Sequence, residues 1–528
     1  MSLGVASCVK SERGADGKGS DTFAFAGSAD PASLDPVFTT DAASAEVAYQ
    51  IFEGLVGTKP GTADPVPLLA TSWKVGKDRL TYDFRLRRGV TFQDGTPFDA
   101  AAVCDNFDRW YNLPKTAQSP NFAYYYGYLF RGFRTGDNAD KAIYRSCEAK
   151  GAHEAVIHLK QPFANFITAL SMPQFVMQSP AALKKYQRDG AANPNNTTYS
   201  TSKPVGTGPF TFRSWDKGQR LTLVRNDMYW GEKAKVSRAV VVPIGDAKAR
   251  VTALRNSEVN AADLIGPKDA GPLKKDGFQV KDRPPFTVLY LGLNQAVKPL
   301  NDIRVRRAIA YAIDKKAVIR GSLPQGTEPT SQFLPPGVKG WTSEVPRYDY
   351  NPAKARELLK EAGAEGATVQ FDFPTDVSRP YLPSPEDTFN VLRSQLEAVG
   401  LKVKPVSTPW SPDYVNKIYG TADHGIHVLG WIGQTNMADD FIGLAFGFPT
   451  PEWGFKDKKL FADLAEARDI PDPKEQTRFY QGVSKEIMRK VPGVPLANPP
   501  SSVALSAGVS GFTPSPIGNE AFNTISLH

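Results

Sequence analysis

The chain has five histidines in 528 residues: His153, His158, His424, His427 and His528. Only His424 and His427 are close enough in sequence to suggest a shared metal. They flank a predicted strand, where residues three apart point to opposite faces, so no metal site is expected. The motifs His-Glu-x-x-His, Cys-x-x-Cys and Gly-x-Ser-x-Gly are absent. Gly206-Thr207-Gly208 begins like a dinucleotide loop, but Pro209 follows it and Thr211 stands where a third glycine belongs. No phosphate-cradling loop is present, and Asp439-Asp440 are neighbours in sequence rather than a pair set across a cleft. No residue is assigned a catalytic role, and no cofactor is expected. The chemistry left is recognition. Arg379 and the run Trp431-Ile432-Gly433-Gln434 both follow predicted strands of one lobe. Ligands of open α/β sheets bind outside the carboxyl ends of strands, so these residues are candidates to face one crevice.

The elements that would position them are legible in the hydrophobic pattern. ATVQFDF (367–373) alternates Val369, Phe371 and Phe373 as a strand does. After the loop PTDVSRPYLPS, Ser384 can cap a helix with Pro385 at its first position. Phe389, Leu392, Leu396 and Val399 give that helix one apolar face, Gly400 ends it, and LKVKPV returns as a strand. Upstream, Asn351-Pro352 opens a helix burying Ala355, Leu358, Leu359 and Ala362, with Gly363 as its stop. Downstream, GIHVLG leads into the loop WIGQTNMAD and an apolar helix near FIGLAF. Near the start, Phe23 and Phe25 mark a strand, a loop follows, and Val47, Ala48, Ile51 and Leu55 recur at helical spacing. The recurring strand, loop and helix indicate an α/β protein. Residues 66–200, with their own strands and long loops, read as a subdomain.

Length and charge narrow the class. The chain is too long for one hydrophobic core, and no run of 18 apolar residues occurs. The net charge of +8 is spread in short pairs such as Arg87-Arg88, Arg306-Arg307 and Lys315-Lys316 among acids. Nucleic-acid binding needs basic charge concentrated on one face, so no nucleic-acid partner is expected. Val5-Ala6-Ser7-Cys8 resembles a bacterial lipobox, in which the cysteine is lipidated and becomes the mature amino terminus. Met1 stands too close for the charged and apolar regions of a signal peptide, so the expected leader would begin upstream or have been trimmed. Residues 9–20 are polar and unpatterned, as a tether between a lipid anchor and a soluble body would be. Cys104 and Cys147 remain, an even pair in a chain that looks exported, and they are expected to form a disulfide.

LLATSWKVGKDRLTYDFRLRRGVTFQDGTPFDAAAV resembles the signature region of the extracellular solute-binding proteins of dipeptide, oligopeptide and nickel importers. VGTGPFTFRSWDKGQRLTLVRNDMYWG, LYLGLNQAVKPLNDIRVRRAIAYAIDKKAVI and YDYNPAKARELLKEAG agree with that family in order and spacing. The resemblance implies a two-lobe, periplasmic-binding-protein-like fold. Its first lobe would comprise 21–60, 205–287 and 482–528, with an inserted subdomain at 61–204; the second lobe would be 288–481. It also implies closure around a small solute, delivery to an ATP-driven (ABC) permease, an extracytoplasmic location and a monomer. SRPYLPSP is similar to the loop in which dipeptide binders hold the peptide carboxylate, placing Arg379 in that role. Trp410 and Trp431 match pocket-lining aromatics. Gln434 stands where those proteins usually place an aspartate for the α-ammonium. The implied ligand is a peptide or peptide-like carboxylate, with a non-peptide anionic solute (metal chelate, siderophore-like compound or glycoconjugate) as the alternative. A secreted enzyme or envelope scaffold is the reading from another class.

Overall fold

The computed structural model describes residues 21–119, 121–187 and 193–528, so the expected lipidation site at Cys8 lies outside the described residues. Three sheets organise the chain. The first has seven strands, in the order 210–216, 220–225, 238–243, 22–27, 261–262, 502–505 and 279–282. Thr22–Gly27 lies inside it, parallel to Arg238–Pro243 and Ala261–Ala262. The alternation read in the sequence works as expected: Phe23 and Phe25 enter the core lined by Val47, Ile51 and Phe522, whereas Ala26 meets Val251, Leu254 and Leu273 on the other face. Helix Ala42–Ile51 begins with the Asp41 side chain accepting from the Ser44 amide, and it buries Val47, Ala48 and Ile51.

The second sheet has six strands, in the order 328–329, 493–498, 287–293, 426–432, 368–375 and 402–409. Thr368–Thr375 and Lys402–Pro409 are parallel along their whole length. A parallel pair needs a crossover, supplied here by helix Pro385–Ala398, whose Phe389, Leu392 and Leu396 pack on Phe371 and Phe373. Ser384 takes the N-cap position, but its side chain makes no cap bond. Asn351 does cap its helix, accepting from the Lys354 amide at 2.9 Å.

The chain's return to the first lobe is later than expected. Helix Pro473–Lys490 buries Val483, Ile487 and Met488 in the second lobe, and Gly493–Asn498 pairs with Thr287–Leu293 in the second sheet. The boundary therefore falls after Asn498 rather than at 482. A short buried apolar run such as VPLA signals a strand but not which sheet it joins.

A third, four-stranded antiparallel sheet (70–75, 81–86, 154–159 and 144–149) belongs to the inserted subdomain. Helix Ala100–Tyr111 covers it, and a disulfide joins Cys104 on the helix to Cys147 on the edge strand, with Cα atoms 5.1 Å apart. On the chain-entropy model, closing a loop of that span contributes about 4 kcal/mol.

The two large sheets are connected by short crossings at 283–286 and 499–501. The crossings are laced together: the Arg283 amide donates to Ser501 O at 2.8 Å, the Thr287 hydroxyl to Pro499 O at 2.8 Å, and the Asn498 amide to Thr287 O at 2.7 Å. The Arg283 guanidinium is buried between Asp263 and Glu520, 2.6 Å from each. Burial works against this charge, but the two carboxylates outweigh it and hold the Arg283 pKa above its ordinary value. Among the described residues, no helix is long and apolar enough to cross a membrane.

Candidate functional site

The parallel pairing of 368–375 with 402–409 ends in register at Thr375 opposite Pro409, so the loops leaving both strands emerge side by side. One carries Arg379 and the other Trp410. The Arg379 amide donates to Leu382 O at 3.1 Å and the Leu382 amide to Arg379 O at 2.9 Å, closing a tight turn around Pro380 and Tyr381. The guanidinium carbon lies 4.9 Å from the centre of the Trp410 ring. Trp410 in turn stacks on Tyr414, with ring centres 5.9 Å apart. Among the described residues no carboxylate lies within ion-pair distance of Arg379, and its Nε is buried without an acceptor. A cation kept in place by a ring and a turn, with no anion of its own, is suited to receive one.

Tyr381 joins this loop to the neighbouring strand. Burial raises its phenol pKa, with Arg379 pulling the other way. Its ring lies flat against Gly430: a Cβ there would sit 2.4 Å from Tyr381 Cδ2 and 2.4 Å from Val288 O. Glycine is therefore required one residue before Trp431. The strand runs further than expected, to Ile432, and pairs Trp431 with Val288 and Ile432 with Thr287. Alternation then separates the expected run. Trp431 is half-buried between the cores of the subdomain and the second lobe, with its Nε1 buried and unpartnered. Ile432 turns to the opposite face and packs on the second-lobe core. Gly433 is a packing residue, since a Cβ would lie 2.3 Å from Phe441.

The side-chain amide of Gln434 is engaged by protein. Nε2 donates to Tyr125 OH at 2.6 Å, and Oε1 accepts from Gln174 Nε2 at 3.2 Å. Its backbone amide and that of Thr435 both donate to Asp440 Oδ2, at 2.7 and 2.8 Å. Burial raises the Asp440 carboxyl to about 6, against the pull of those hydrogen bonds. Asp439 is committed elsewhere, to Arg468 at 3.6 Å and Tyr480 OH at 3.3 Å.

Two further aromatics were not singled out in the sequence. Tyr124 stacks on Tyr128 in helix Tyr124–Leu129, and burial followed by the charges of Asp440 and Asp439 in the other lobe raises its phenol. At Tyr419, burial and then the Glu452 charge raise the phenol, with Tyr381 and Tyr124 adding to it. A three-tyrosine run (124–126) and a helix-end tyrosine read as ordinary core in one dimension; only the approach of the lobes gives them a common neighbourhood.

His424 and His427 correct another expectation. The strand begins at Ile426, so His424 precedes it, and the turn brings the two rings to 5.1 Å rather than to opposite faces. Burial lowers both imidazoles to about 4, and the adjacent Glu452 carboxyl is raised by burial to about 8. Among the described residues, no three His, Cys, Asp or Glu side chains are arranged to hold a metal.

Two α/β lobes tied by paired crossings, with an arginine held on an aromatic ring and without a carboxylate partner, have the form of a solute-binding protein. The chain belongs to the bacterial extracellular solute-binding proteins, family 5, whose middle-region model matches residues 64–450. It is 27% identical over 527 residues to the dipeptide-binding protein of Escherichia coli (strain K12), covering 96% of this chain and 94% of that one. It is 26% identical over 525 residues to heme-binding protein A of Haemophilus influenzae, covering 96% and 92%. Among solved structures, it is similar to the ABC transporter-associated periplasmic binding protein DppA from Helicobacter pylori in complex with the peptide STSA. That likeness has a TM-score of 0.80 and 27% identity, covering 96% of this chain and 98% of the other. The family is one of transport proteins rather than enzymes.

Proposed function

We propose that this chain captures a peptide or peptide-like carboxylate between its lobes and presents it to the permease of an ABC importer. The observation that carries the reading is Arg379, a guanidinium over the Trp410 ring with a buried Nε and no protein carboxylate in reach. A ligand carboxylate would supply the missing partner through two parallel hydrogen bonds. Trp410 and Trp431 would flank the solute, and contact with both lobes would favour the closed form. The E. coli and H. pylori relatives, named for dipeptide and peptide, support this ligand class. In the same reading, Cys8 is the lipid anchor, residues 9–20 the tether, and a monomer the acting form on the outer side of the cell membrane.

One observation favours a second reading, a non-peptide anionic solute. No carboxylate stands at position 434, and the Gln434 amide is already engaged, so a free α-ammonium has no charged partner there. The heme-binding relative shows how far the family's named ligands extend. Titration calorimetry with Ala-Ala and N-acetyl-Ala-Ala, alongside native mass spectrometry of the purified protein, tests both. Tight one-to-one binding of either dipeptide form supports the first reading. A co-purifying anion with no dipeptide binding supports the second, and turnover of the bound compound would overturn both in favour of an enzyme.

A further inference from the structure

The contact around Gln434 joins two parts of the molecule that belong to different lobes. Gln174 and Tyr125 come from the inserted subdomain of the first lobe, and Gln434 from the segment after strand Ile426–Ile432 of the second. Gln174 Nε2 has two hydrogens and both are used, one on Thr39 O at 2.7 Å and one on Gln434 Oε1 at 3.2 Å. Gln434 Nε2 then continues the chain to Tyr125 OH at 2.6 Å. Thr39, Gln174, Gln434 and Tyr125 thus form one polar seam, with Gln174 fully buried and Tyr125 only 6% exposed. Asp440 fixes the loop that brings Gln434 forward, accepting from its backbone amide at 2.7 Å. The same segment makes two more attachments to the first lobe. Asn436 Nδ2 donates to Asp64 Oδ1 at 2.9 Å, and the Met437 and Leu444 side chains are buried in the subdomain's core.

We propose that Gln434 is the closing residue of the cleft: its carboxamide stitches the second lobe to Gln174 and Tyr125 where the lobes meet. A buried amide network is costly to leave half-made, because each polar group deprived of its partner keeps the cost of its lost hydration. The seam therefore stabilises the closed arrangement by itself, which lowers the share of the closing free energy that a solute must supply. Gln434 acts here as a positioning residue. It sets how far apart the walls carrying Trp431 and Tyr124 stand without spending its own hydrogen bonds on the ligand. Glutamine suits this task because its amide donates to a hydroxyl and accepts from a second amide at once. A carboxylate at the same place has no hydrogen to donate and brings a charge into a buried seam.

Small-angle scattering and amide hydrogen exchange on the ligand-free protein provide the test. Gln434→Leu keeps the side-chain volume and removes the amide; Tyr125→Phe removes one hydroxyl from the opposite lobe and is the milder change. The expected result is a compact wild type, a larger radius of gyration in both variants, and exchange at least tenfold faster in segments 124–129 and 431–440. Combining the two substitutions should open the protein little more than Gln434→Leu alone, since both break the same bridge. Scattering and exchange indistinguishable between wild type and Tyr125→Phe, whether both are open or both closed, would overturn the proposal. So would additive opening, in which the double variant opens by the sum of the two single effects. No solute is used, so this result stands apart from the carboxylate-binding reading, and failure of either leaves the other standing.

Discussion

Arg283 and Arg379 are the same side chain in opposite circumstances. Arg283 lies at the crossing between the lobes, buried, with Asp263 and Glu520 each 2.6 Å away and its backbone amide tied to Ser501. Arg379 lies in the loop after strand Thr368–Thr375, against an aromatic ring, with no carboxylate within ion-pair distance among the described residues. A folded chain that uses arginine for architecture supplies the counter-charge itself, as at Arg283. Where it leaves the counter-charge out, as at Arg379, the vacancy can be filled from outside. Charge pairing thus separates an arginine that holds the crossing from one left free to take the proposed ligand carboxylate.

Truncating each side chain should separate the two roles. Arg283→Ala leaves Asp263 and Glu520 facing Glu46, whose carboxyl is already driven well up by burial and then by those same two neighbours. Removing one member of a buried ionic cluster typically costs about 3–5 kcal/mol, so urea denaturation should show a loss of that order. Arg379→Ala should leave the unfolding free energy from urea denaturation within about 0.5 kcal/mol of wild type. It should instead weaken binding of a carboxylate ligand by about 2–5 kcal/mol in calorimetry. If the stability loss fell on Arg379 and the affinity loss on Arg283, the distinction would fail.

A smaller effect is expected at Gly430, which lets Tyr381 brace the Arg379 loop. Gly430→Ala puts a methyl group 2.4 Å from both the Tyr381 ring and the Val288 carbonyl, and overpacking of this kind costs about 1–3 kcal/mol. Affinity for the same ligand should fall along with stability, because the turn holding Arg379 must move. Affinity unchanged despite the stability loss would show that Arg379 is positioned independently of Tyr381.

The smallest effect comes from a buried cluster that faces no solute. Glu452 in the folded state titrates at about 8, against an ordinary 4.5, so between those values the folded chain holds a proton the unfolded chain has lost. Stability then falls as pH rises through that window, by at most about 1.4 kcal/mol per pH unit. His424 and His427 act in the opposite sense, since their folded values near 4 make stability rise with pH up to about 6.5. Above pH 6.5 only the Glu452 contribution remains of these three. The urea midpoint should therefore decline from pH 6.5 to 8 in wild type and decline less in Glu452→Gln. Equal slopes would exclude Glu452 as the source.

What the sequence revealed follows from the range of the interactions. The parallel pair 368–375 and 402–409 was legible because its signals are local: alternation in the strand, Pro385 at a helix start, and Gly400 at the stop. The convergence of Arg379 and Trp410 follows from that pair alone. The Gln434 seam was not legible, because its partners Gln174 and Tyr125 lie 260 and 309 residues away. No periodicity encodes a hydrogen bond across a cleft. Strand 493–498 was misplaced for a related reason, since a run buried on both faces announces burial but not its neighbours. At His424 a single residue of strand boundary was enough to reverse the expected direction of a side chain.

Ser502–Leu505 sits inside the first sheet, between Ala261–Ala262 and Gln279–Asp282, which do not pair with each other. Without those four residues the sheet that begins at Thr22 is split into two pieces with a gap between them. A growing polypeptide therefore lacks the linking strand of its first lobe until residues 502–505 follow the whole of the second lobe.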